Sequence, residues 1–208
     1  MARWSIVFLV IFIASAIRSG AQSYVGGAGM VNAGYLFAPG IASSLSSNTG
    51  NSLHFQKGYA IVGAELNYRR DQLIIAASGY IGASESRSSG EQLIEPFIWK
   101  AHIGSGPILY QSKAIAFYPI FGIGAIQSSL IYHNYSDADT YSETTSPSME
   151  FALHLDYLLH NDVPVDEMFS TSIISTRITY THDLTRTKLN GWSVTVSFGG
   201  MGFLKKKQ

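Results

Sequence analysis

Seven ionisable residues of this sequence could do chemistry, because each lies in a stretch that otherwise holds apolar and small side chains. They are Glu65, Lys100, His102, Glu150, His154, Asp156 and Arg177. Histidine and carboxylate side chains together can supply general acid and base catalysis. The alternative is a network of ion pairs and hydrogen bonds inside the protein, because charges that leave water must be paired. We favour the paired network and predict no catalytic residue among the seven.

His154 and Asp156 are also the best candidates for a metal site. Residues two apart in a strand point to the same face, so both side chains could reach one ion. A zinc site takes three or four ligands, however, and the sequence offers only two at this spacing. We therefore predict no metal site and no cofactor.

The segment Met149–His160 indicates which kind of element positions these residues. One alternate set along it is entirely apolar: Met149, Phe151, Leu153, Leu155, Tyr157 and Leu159. The other set is mostly polar or ionisable: Glu150, Ala152, His154, Asp156, Leu158 and His160. Successive side chains of a strand point to opposite faces, so the segment is predicted to be a strand with one apolar and one polar face.

Seven further segments have the features of strands, and together with Met149–His160 they make about eight. They lie near Gly27–Phe37, Gly58–Tyr68, Gln72–Ala83, Leu93–Tyr110, Ala114–His133, Phe169–Thr181 and Gly191–Phe203. Strands of about 10 residues can cross the hydrocarbon core of a bilayer when they are tilted. The connections tend to alternate between long and short, which predicts that both termini lie at the end with the short turns.

The predicted connections differ in composition as well as in length. The first, Ala38–Lys57, is long and rich in glycine, serine and asparagine, whereas Arg69–Asp71 and Gln111–Lys113 are tight turns. The fifth, Asn134–Ser148, is long, acidic and aromatic, so it could bind a cation or a partner protein, or simply be solvated. The sixth and seventh connections have similar lengths, so the alternation is imperfect there.

Three prolines, Pro96, Pro107 and Pro119, lie inside the predicted strands. Proline cannot donate a hydrogen bond to a neighbouring strand, and a closed barrel has no free edge to accommodate it. We expect Pro107 and Pro119 near one rim of the barrel and Pro96 near the other, each beside a β-bulge.

The composition favours a β-protein that contacts lipid. Charged residues make up 13% of the chain, the net charge is zero and aromatic residues reach 12%. A soluble domain usually has about 25% charged residues, and a nucleic-acid-binding domain is strongly basic. The chain has no apolar run of about 20 residues that could form a membrane-spanning helix. We therefore expect contact with lipid and none with nucleic acid.

The first 21 residues are predicted to be a cleavable signal peptide. Arg3 supplies the positive charge, residues 6–17 form an apolar run of about a dozen residues, and Ser19 and Ala21 are the small residues before the cut. The sequence contains no cysteine, so neither a disulfide framework nor a lipoprotein attachment site is expected. Residues 22–208 then form one mature barrel domain, exported across the inner membrane.

A soluble β-sandwich or a lipocalin-like barrel would also alternate, but its outward face would be polar. Here the polar face holds isolated charges among glycine, alanine, serine and threonine, which suits a crowded lumen better than a solvated surface. We therefore predict an all-β fold, a closed antiparallel up-and-down transmembrane β-barrel of about eight strands with its lumen plugged by side chains. A soluble lipocalin-like binding barrel is the alternative fold and function.

Several short stretches resemble the small bacterial outer-membrane β-barrel proteins, in particular the Bacteroidetes-type outer-membrane β-barrel domain family. They are Ser19-Gly-Ala-Gln-Ser23, Tyr110-Gln-Ser-Lys113, Phe117-Tyr-Pro-Ile-Phe-Gly-Ile-Gly124 and Ser193-Val-Thr-Val-Ser-Phe-Gly-Gly200. The resemblance implies insertion into the outer membrane by the outer-membrane assembly machinery. Such proteins often end in an aromatic residue, whereas this chain continues through Leu204-Lys-Lys-Lys-Gln208 after its last phenylalanine.

The resemblance brings no catalytic residues, and we expect a barrel of the bacterial outer membrane with a structural or interaction role. Its external loops would contact an envelope or host protein. An accessory subunit of a secretion or transport assembly is one alternative, and a lipid A-modifying enzyme is another. The enzyme is disfavoured because lipid-facing positions are nearly all apolar and because His133-Asn-Tyr-Ser136 does not have the His-x-Ser spacing.

Overall fold

The segments of alternating hydrophobicity form eight long antiparallel strands. The computed structural model describes residues 24–48, 54–89, 92–112, 114–134, 140–159, 168–185 and 189–205. The predicted signal peptide, residues 1–21, lies outside the described residues. In chain order the elements are β1 (Tyr24–Phe37), α1 (Pro39–Asn48), β2 (Gly58–Arg70), β3 (Leu73–Ala83), β4 (Arg87–Ser89), β5 (Gln92–Pro107), β6 (Tyr110–Gln111), β7 (Ile115–Asn134), β8 (Thr140–Leu159), β9 (Met168–Asp183) and β10 (Gly191–Lys205).

The long strands close into a barrel. Each pairs antiparallel with the next long strand in the chain, and β1 pairs with β10 from Tyr24↔Lys205 to Phe37↔Trp192. The short strands β4 and β6 extend the sheet beside β5 and β7. The predicted closed antiparallel up-and-down barrel is therefore confirmed. No helix in the described part of the chain is long and apolar enough to cross a membrane.

The two ends of the barrel differ. One end, called here the turn end, carries the tight β2–β3 turn, the start of β1 and the end of β10. In that turn Asp71 has a φ of 56°, a left-handed conformation that aspartate tolerates better than most residues. The opposite end, called the helix end, carries α1 between β1 and β2.

The alternation predicted for Met149–His160 is confirmed over the described residues of β8. Glu150, His154 and Asp156 are buried in the lumen, whereas Leu155 and Tyr157 are each 50% exposed on the outside. The same alternation holds along β2, where Glu65 is buried and its neighbour Leu66 is exposed. The middle of the barrel thus has a polar interior and an apolar exterior.

The predicted loop Asn134–Ser148 is wrong. Strand β8 begins at Thr140, and its first residues pair with β7 from Tyr132↔Thr140 to Gln127↔Thr145. This part of the sequence is serine- and threonine-rich on both faces, so it lacks the apolar alternation from which the strand was predicted. Residues 135–139 lie outside the described ranges. The acidic binding loop expected there is therefore mostly an extension of the β7–β8 hairpin.

The first connection, which was predicted only to be long and rich in glycine, serine and asparagine, contains α1. Glycine, four serines and asparagine make this helix intrinsically weak. Its buried side chains are Ile41, Ala42 and Leu45, which pack into a cluster with lumen residues such as Ile61 and Ile98. Burial of one apolar face overrides the poor propensity and places α1 across the mouth of the barrel.

Each proline-containing strand keeps its register on one side, whereas on the other side the register shifts by one residue beside the proline. The β5–β7 register runs without interruption through Pro96, and the β7–β8 register does so through Pro119. The Pro96 carbonyl accepts a hydrogen bond from the Ser84 amide, just beyond the end of β3. The nitrogen of an antiparallel residue faces the same side as its carbonyl. On that side, residues 84–86 stand opposite only Glu95 and Pro96, between the pairs Ala83↔Phe97 and Arg87↔Ile94. Likewise, residues 106–109 stand opposite only residues 118–120, a stretch that contains Pro119. One extra residue on one strand is a β-bulge, so the bulges predicted beside Pro96 and Pro119 are confirmed.

Candidate functional site in the barrel lumen

Strand alternation places the charged residues in the lumen. The structure places all seven residues of the predicted polar network there, at most 5% exposed: Glu65, Lys100, His102, Glu150, His154, Asp156 and Arg177. Their strands are β2, β5, β8 and β9, of which only β8 and β9 are neighbours in the sheet. The side chains therefore meet across the lumen.

Arg177 is the centre of the first ion group. Its Nη1 donates to Glu65 Oε2 at 2.6 Å and to the Tyr80 hydroxyl at 3.0 Å. Its Nη2 donates to Glu150, and its Nε donates to Thr179 Oγ1 at 3.0 Å. A planar guanidinium has five N–H donors in a fixed fork, so one arginine can hold two carboxylates at once.

Lys100 completes this group from the opposite wall. Its Nζ donates to Glu150 Oε2 at 3.1 Å, to Ser193 Oγ at 3.3 Å and to Thr181 Oγ1 at 3.4 Å. All three N–H donors of the ammonium group thus have an acceptor. His102 joins the same carboxylate, with Nδ1 3.3 Å from Glu150 Oε2, and its Nε2 lies 2.8 Å from Ser148 Oγ.

A second ion group lies nearer the turn end. Arg69 pairs with Asp156 and donates to the Tyr118 hydroxyl at 3.2 Å. Tyr118 in turn donates to Asp156 Oδ2 at 2.8 Å. The His154 ring stacks on Tyr118 with 4.8 Å between ring centroids. Arg69, Tyr80 and Tyr118 are thus members of the lumen network that the sequence did not identify.

The missed members were detectable in part. Arg69 is four residues after Glu65, so period-two alternation places both on the same face, but Arg69 was assigned to the β2–β3 turn. Tyr80 and Tyr118 carry hydroxyls on rings that also suit an apolar core. No local pattern identifies which tyrosine faces an arginine across the lumen.

The charges of the network balance. Three cations (Arg69, Lys100 and Arg177) meet three carboxylates (Glu65, Glu150 and Asp156), and each carboxylate has a cationic partner. Such pairing is what makes burial of these groups tolerable. Among the described residues no group of three or more His, Asp or Glu side chains could hold a metal ion. The arrangement links β2, β5, β8 and β9 across the lumen.

Apolar clusters close the lumen on both sides of the charged layer. At the helix end, α1 packs on a cluster that includes Leu36, Tyr59 and Leu130. Tyr132 packs against this cluster from the extension of β7, and burial raises the pKa of its phenol. At the turn end, two clusters fill the lumen, one with Ile74 and Ile120 and the other with Leu158, Ile173, Met201 and Phe203. The charged layer is thereby sealed between apolar ones.

The outside of the barrel carries an apolar belt to which all eight long strands contribute. Its most exposed members are Val31, Leu66 and Ile123, at 67%, 68% and 64%. Tyr68, Tyr110 and Tyr157 lie on the belt at the turn end, and Tyr35 and Trp192 lie on it at the helix end. Phe198 lies away from both ends of the belt, in the middle of β10 opposite Val31.

Above the belt, at the helix end, the exterior becomes polar. Trp99 Nε1 donates to Gln127 Oε1 at 2.7 Å, and Gln127 Nε2 donates to Glu143 Oε2 at 2.7 Å. Thr145 donates to Gln127 Oε1 at 3.0 Å. These side chains from β5, β7 and β8 form a polar row, called here the Gln127 row, which marks where the apolar belt ends and the extended hairpins begin.

Solved structures with a similar fold include Ail, the attachment invasion locus protein of Yersinia pestis. It matches both alone, at 9% identity, and in complex with the heparin analogue sucrose octasulfate, at 10% identity. Each match has a TM-score of 0.50 and covers 88% of this chain and 100% of Ail. Neisserial surface protein A matches at 11% identity with a TM-score of 0.39, over 88% of this chain and 97% of that protein.

No protein-family model matches the chain, and no curated protein matches its sequence. The likeness to Ail shows a shared fold, which agrees with the predicted resemblance to small eight-stranded barrels. The finer resemblance, to the Bacteroidetes-type family, is not confirmed.

Proposed function

We propose that this chain is a barrel of the bacterial outer membrane with a structural or interaction role. The apolar belt carries the proposal. Soluble monomers rarely expose a contiguous apolar patch larger than a few hundred Å², whereas here large apolar side chains surround the barrel on all eight strands. Tyrosine and tryptophan near both ends of the belt are typical of the interfacial girdles of membrane barrels.

The distribution of polarity argues against the soluble lipocalin-like alternative. A lipocalin-like barrel keeps its apolar residues inside, around a ligand, and its polar residues outside. In this chain Arg177, Glu150 and Lys100 fill the middle of the lumen, whereas residues such as Leu66 and Ile123 face outward. The inversion suits a lipid environment.

The same proposal assigns the chain an orientation in the membrane and a pathway of export and insertion. Membrane barrels have short periplasmic turns and longer external loops, so the turn end would face the periplasm and the helix end the outside. Residues 1–21 would act as a signal peptide for export, the outer-membrane assembly machinery would insert the barrel, and outer-membrane lipid would surround the belt. Membership of the Bacteroidetes-type barrel family is part of this proposal.

Fractionation and heat modifiability test the membrane proposal. Unboiled protein should migrate differently from boiled protein in a denaturing gel, and expressed protein should sediment with the outer membrane and resist extraction by carbonate. Recovery in the soluble fraction, together with equal migration of boiled and unboiled protein, would instead support the lipocalin-like alternative. A variant that lacks residues 1–21 is the matched control, because it should stay in the cytoplasm and remain unfolded.

The plugged lumen favours a contact role over transport. Apolar clusters lie on both sides of the charged layer, and eight strands enclose an interior just wide enough for side chains. The barrel reconstituted in planar bilayers should show no conductance above that of lipid alone. Stable single-channel steps would contradict the plugged lumen.

The extended hairpins are the surface proposed for contacts with an envelope or host protein. The β7–β8 hairpin continues beyond the Gln127 row as paired strand, away from the belt. Ail has been crystallised with a heparin analogue, so a sulfated glycan is a reasonable probe. Binding by intact cells that is lost when residues 135–139 are replaced by a two-residue turn would support the contact role.

Two other functions predict different results when the protein is expressed in a bacterial strain. Co-purification of a stoichiometric envelope complex would favour an accessory subunit of a secretion or transport assembly. A changed lipid A mass on expression would favour an enzyme. We propose no enzymatic activity, because each lumen carboxylate is paired with a cation and the lumen histidines are at most 5% exposed.

A further inference from the structure

We propose that the lumen between Glu65, His154, Asp156 and Ser175 binds a small cluster of ordered waters that joins the two ion groups into one network. The proposal rests on the barrel fold and does not require the membrane location. Each of these side chains is at most 2% exposed. Each also has a polar atom without a hydrogen-bond partner in the protein, including both ring nitrogens of His154.

The unpaired atoms lie on neighbouring positions. Asp156 and Ser175 are directly opposite each other in the β8–β9 register, and Asp156 Oδ1 and Ser175 Oγ are both unpaired. His154 Nδ1 lies 3.9 Å from Glu65 Oε1, which is too long for a direct hydrogen bond. A polar contact beyond about 3.5 Å is where a bridging water is expected. Arg69, the partner of Asp156, leaves Nε and Nη1 unpaired as well.

The lumen has small side chains at this level. Ser175 pairs with Ser197 on β10, and Ser197 pairs with Asn32 on β1, so three adjacent strands present short polar side chains inward. Closer to the turn end, Leu158 and Ile173 face each other in the next lumen row and close the space with apolar atoms. This part of the lumen, called here the chamber, thus has short polar side chains on three strands and is separated from the turn end by apolar side chains.

The donor set points to water rather than to an ion. An anion would be repelled by Glu65 and Asp156, and a cation would be repelled by Arg69 and Arg177. The unpaired guanidinium nitrogens need an acceptor, the carboxylate oxygens need a donor, and an imidazole needs one of each. Water supplies both at every position, and buried waters typically make about three such bonds.

Radiolytic footprinting of the intact barrel, folded in detergent micelles, tests the proposal. A short X-ray pulse makes hydroxyl radicals from water in place, so side chains beside ordered water are oxidised even where bulk solvent does not reach. Tyr118 and His154 should be oxidised, although Tyr118 is 0% exposed. Met201, 2% exposed within the apolar cluster at the turn end, should be protected, although methionine is the more reactive side chain.

Two results would overturn the proposal. Protection of Tyr118 and His154 together with Met201 would mean that the chamber is dry. Oxidation of all three as fast as His54, which is exposed in the connection between α1 and β2, would mean that bulk solvent fills the lumen. In a second measurement, Ser175→Val should remove most of the Tyr118 labelling. The matched control is Thr176→Val, which introduces valine at the next residue of β9, on the outer face. It should leave the labelling of Tyr118 unchanged.

Discussion

Arg177 and Glu65 are 112 residues apart in the sequence, yet Arg177 Nη1 donates a 2.6 Å hydrogen bond to Glu65 Oε2 across the lumen. The two residues lie on β9 and β2, which are not neighbours in the sheet. Their contact therefore depends on closure of the whole barrel. Because the same guanidinium also holds Glu150, one side chain stabilises the positions of three strands.

Replacing Arg177 by methionine should destabilise the barrel by about 3–5 kcal/mol, because it leaves Glu65 and Glu150 with less buried positive charge. Urea unfolding in detergent, followed by the heat-modified gel shift, measures the loss. The double variant R177M/E65Q should recover part of it. Arg70→Met, at a side chain 62% exposed, is the control and should change stability by less than about 0.5 kcal/mol. A neutral R177M would contradict the paired network.

Leu45→Asp should release α1 from the barrel mouth without unfolding the barrel, because the helix depends on its buried apolar face. The chain has no cysteine, so Ile61→Cys provides a single thiol beneath α1. A maleimide should label this thiol rapidly with Leu45→Asp and slowly without it. Ser43→Asp, on the exposed side of α1, is the matched control. Equal labelling with and without Leu45→Asp would show that α1 does not cover the lumen.

Leu66→Arg should impair folding into lipid vesicles by about 2–4 kcal/mol, because it puts a charge on the middle of the apolar belt. Thr145→Arg, beyond the Gln127 row, should cost at most about 1 kcal/mol. The fraction folded, read from the gel shift of unboiled samples, distinguishes them. If both variants folded into vesicles as well as the native sequence, the belt would not be the lipid-facing surface.

Asp71→Val should destabilise the barrel by about 1–2 kcal/mol, because a β-branched residue does not tolerate the φ of 56° in the β2–β3 turn. Asp71→Gly should be neutral or slightly stabilising, because glycine adopts this conformation without strain. The midpoint temperature of thermal unfolding in detergent measures both. A smaller loss of stability in Asp71→Val than in Asp71→Gly would contradict the left-handed conformation of Asp71.

Much of the barrel could be predicted from the sequence because strand alternation is a local property. The two faces of β8 follow from the order of its residues alone, and so does the burial of Glu150, His154 and Asp156. The start of β8 could not be predicted in the same way. The residues from Thr140 lack the apolar alternation, and they become strand by pairing with β7.

The sequence by itself determined that the chain forms about eight alternating strands, with seven ionisable residues on their polar faces. Only the tertiary structure decided which of these charges meet. Arg177 reaches Glu65, and Arg69 reaches Asp156, because barrel closure brings non-adjacent strands face to face across the lumen. The helix α1 is a further tertiary outcome. Its serine-rich sequence does not favour a helix, and it forms because the open mouth of the barrel offers Ile41 and Leu45 an apolar surface to bury.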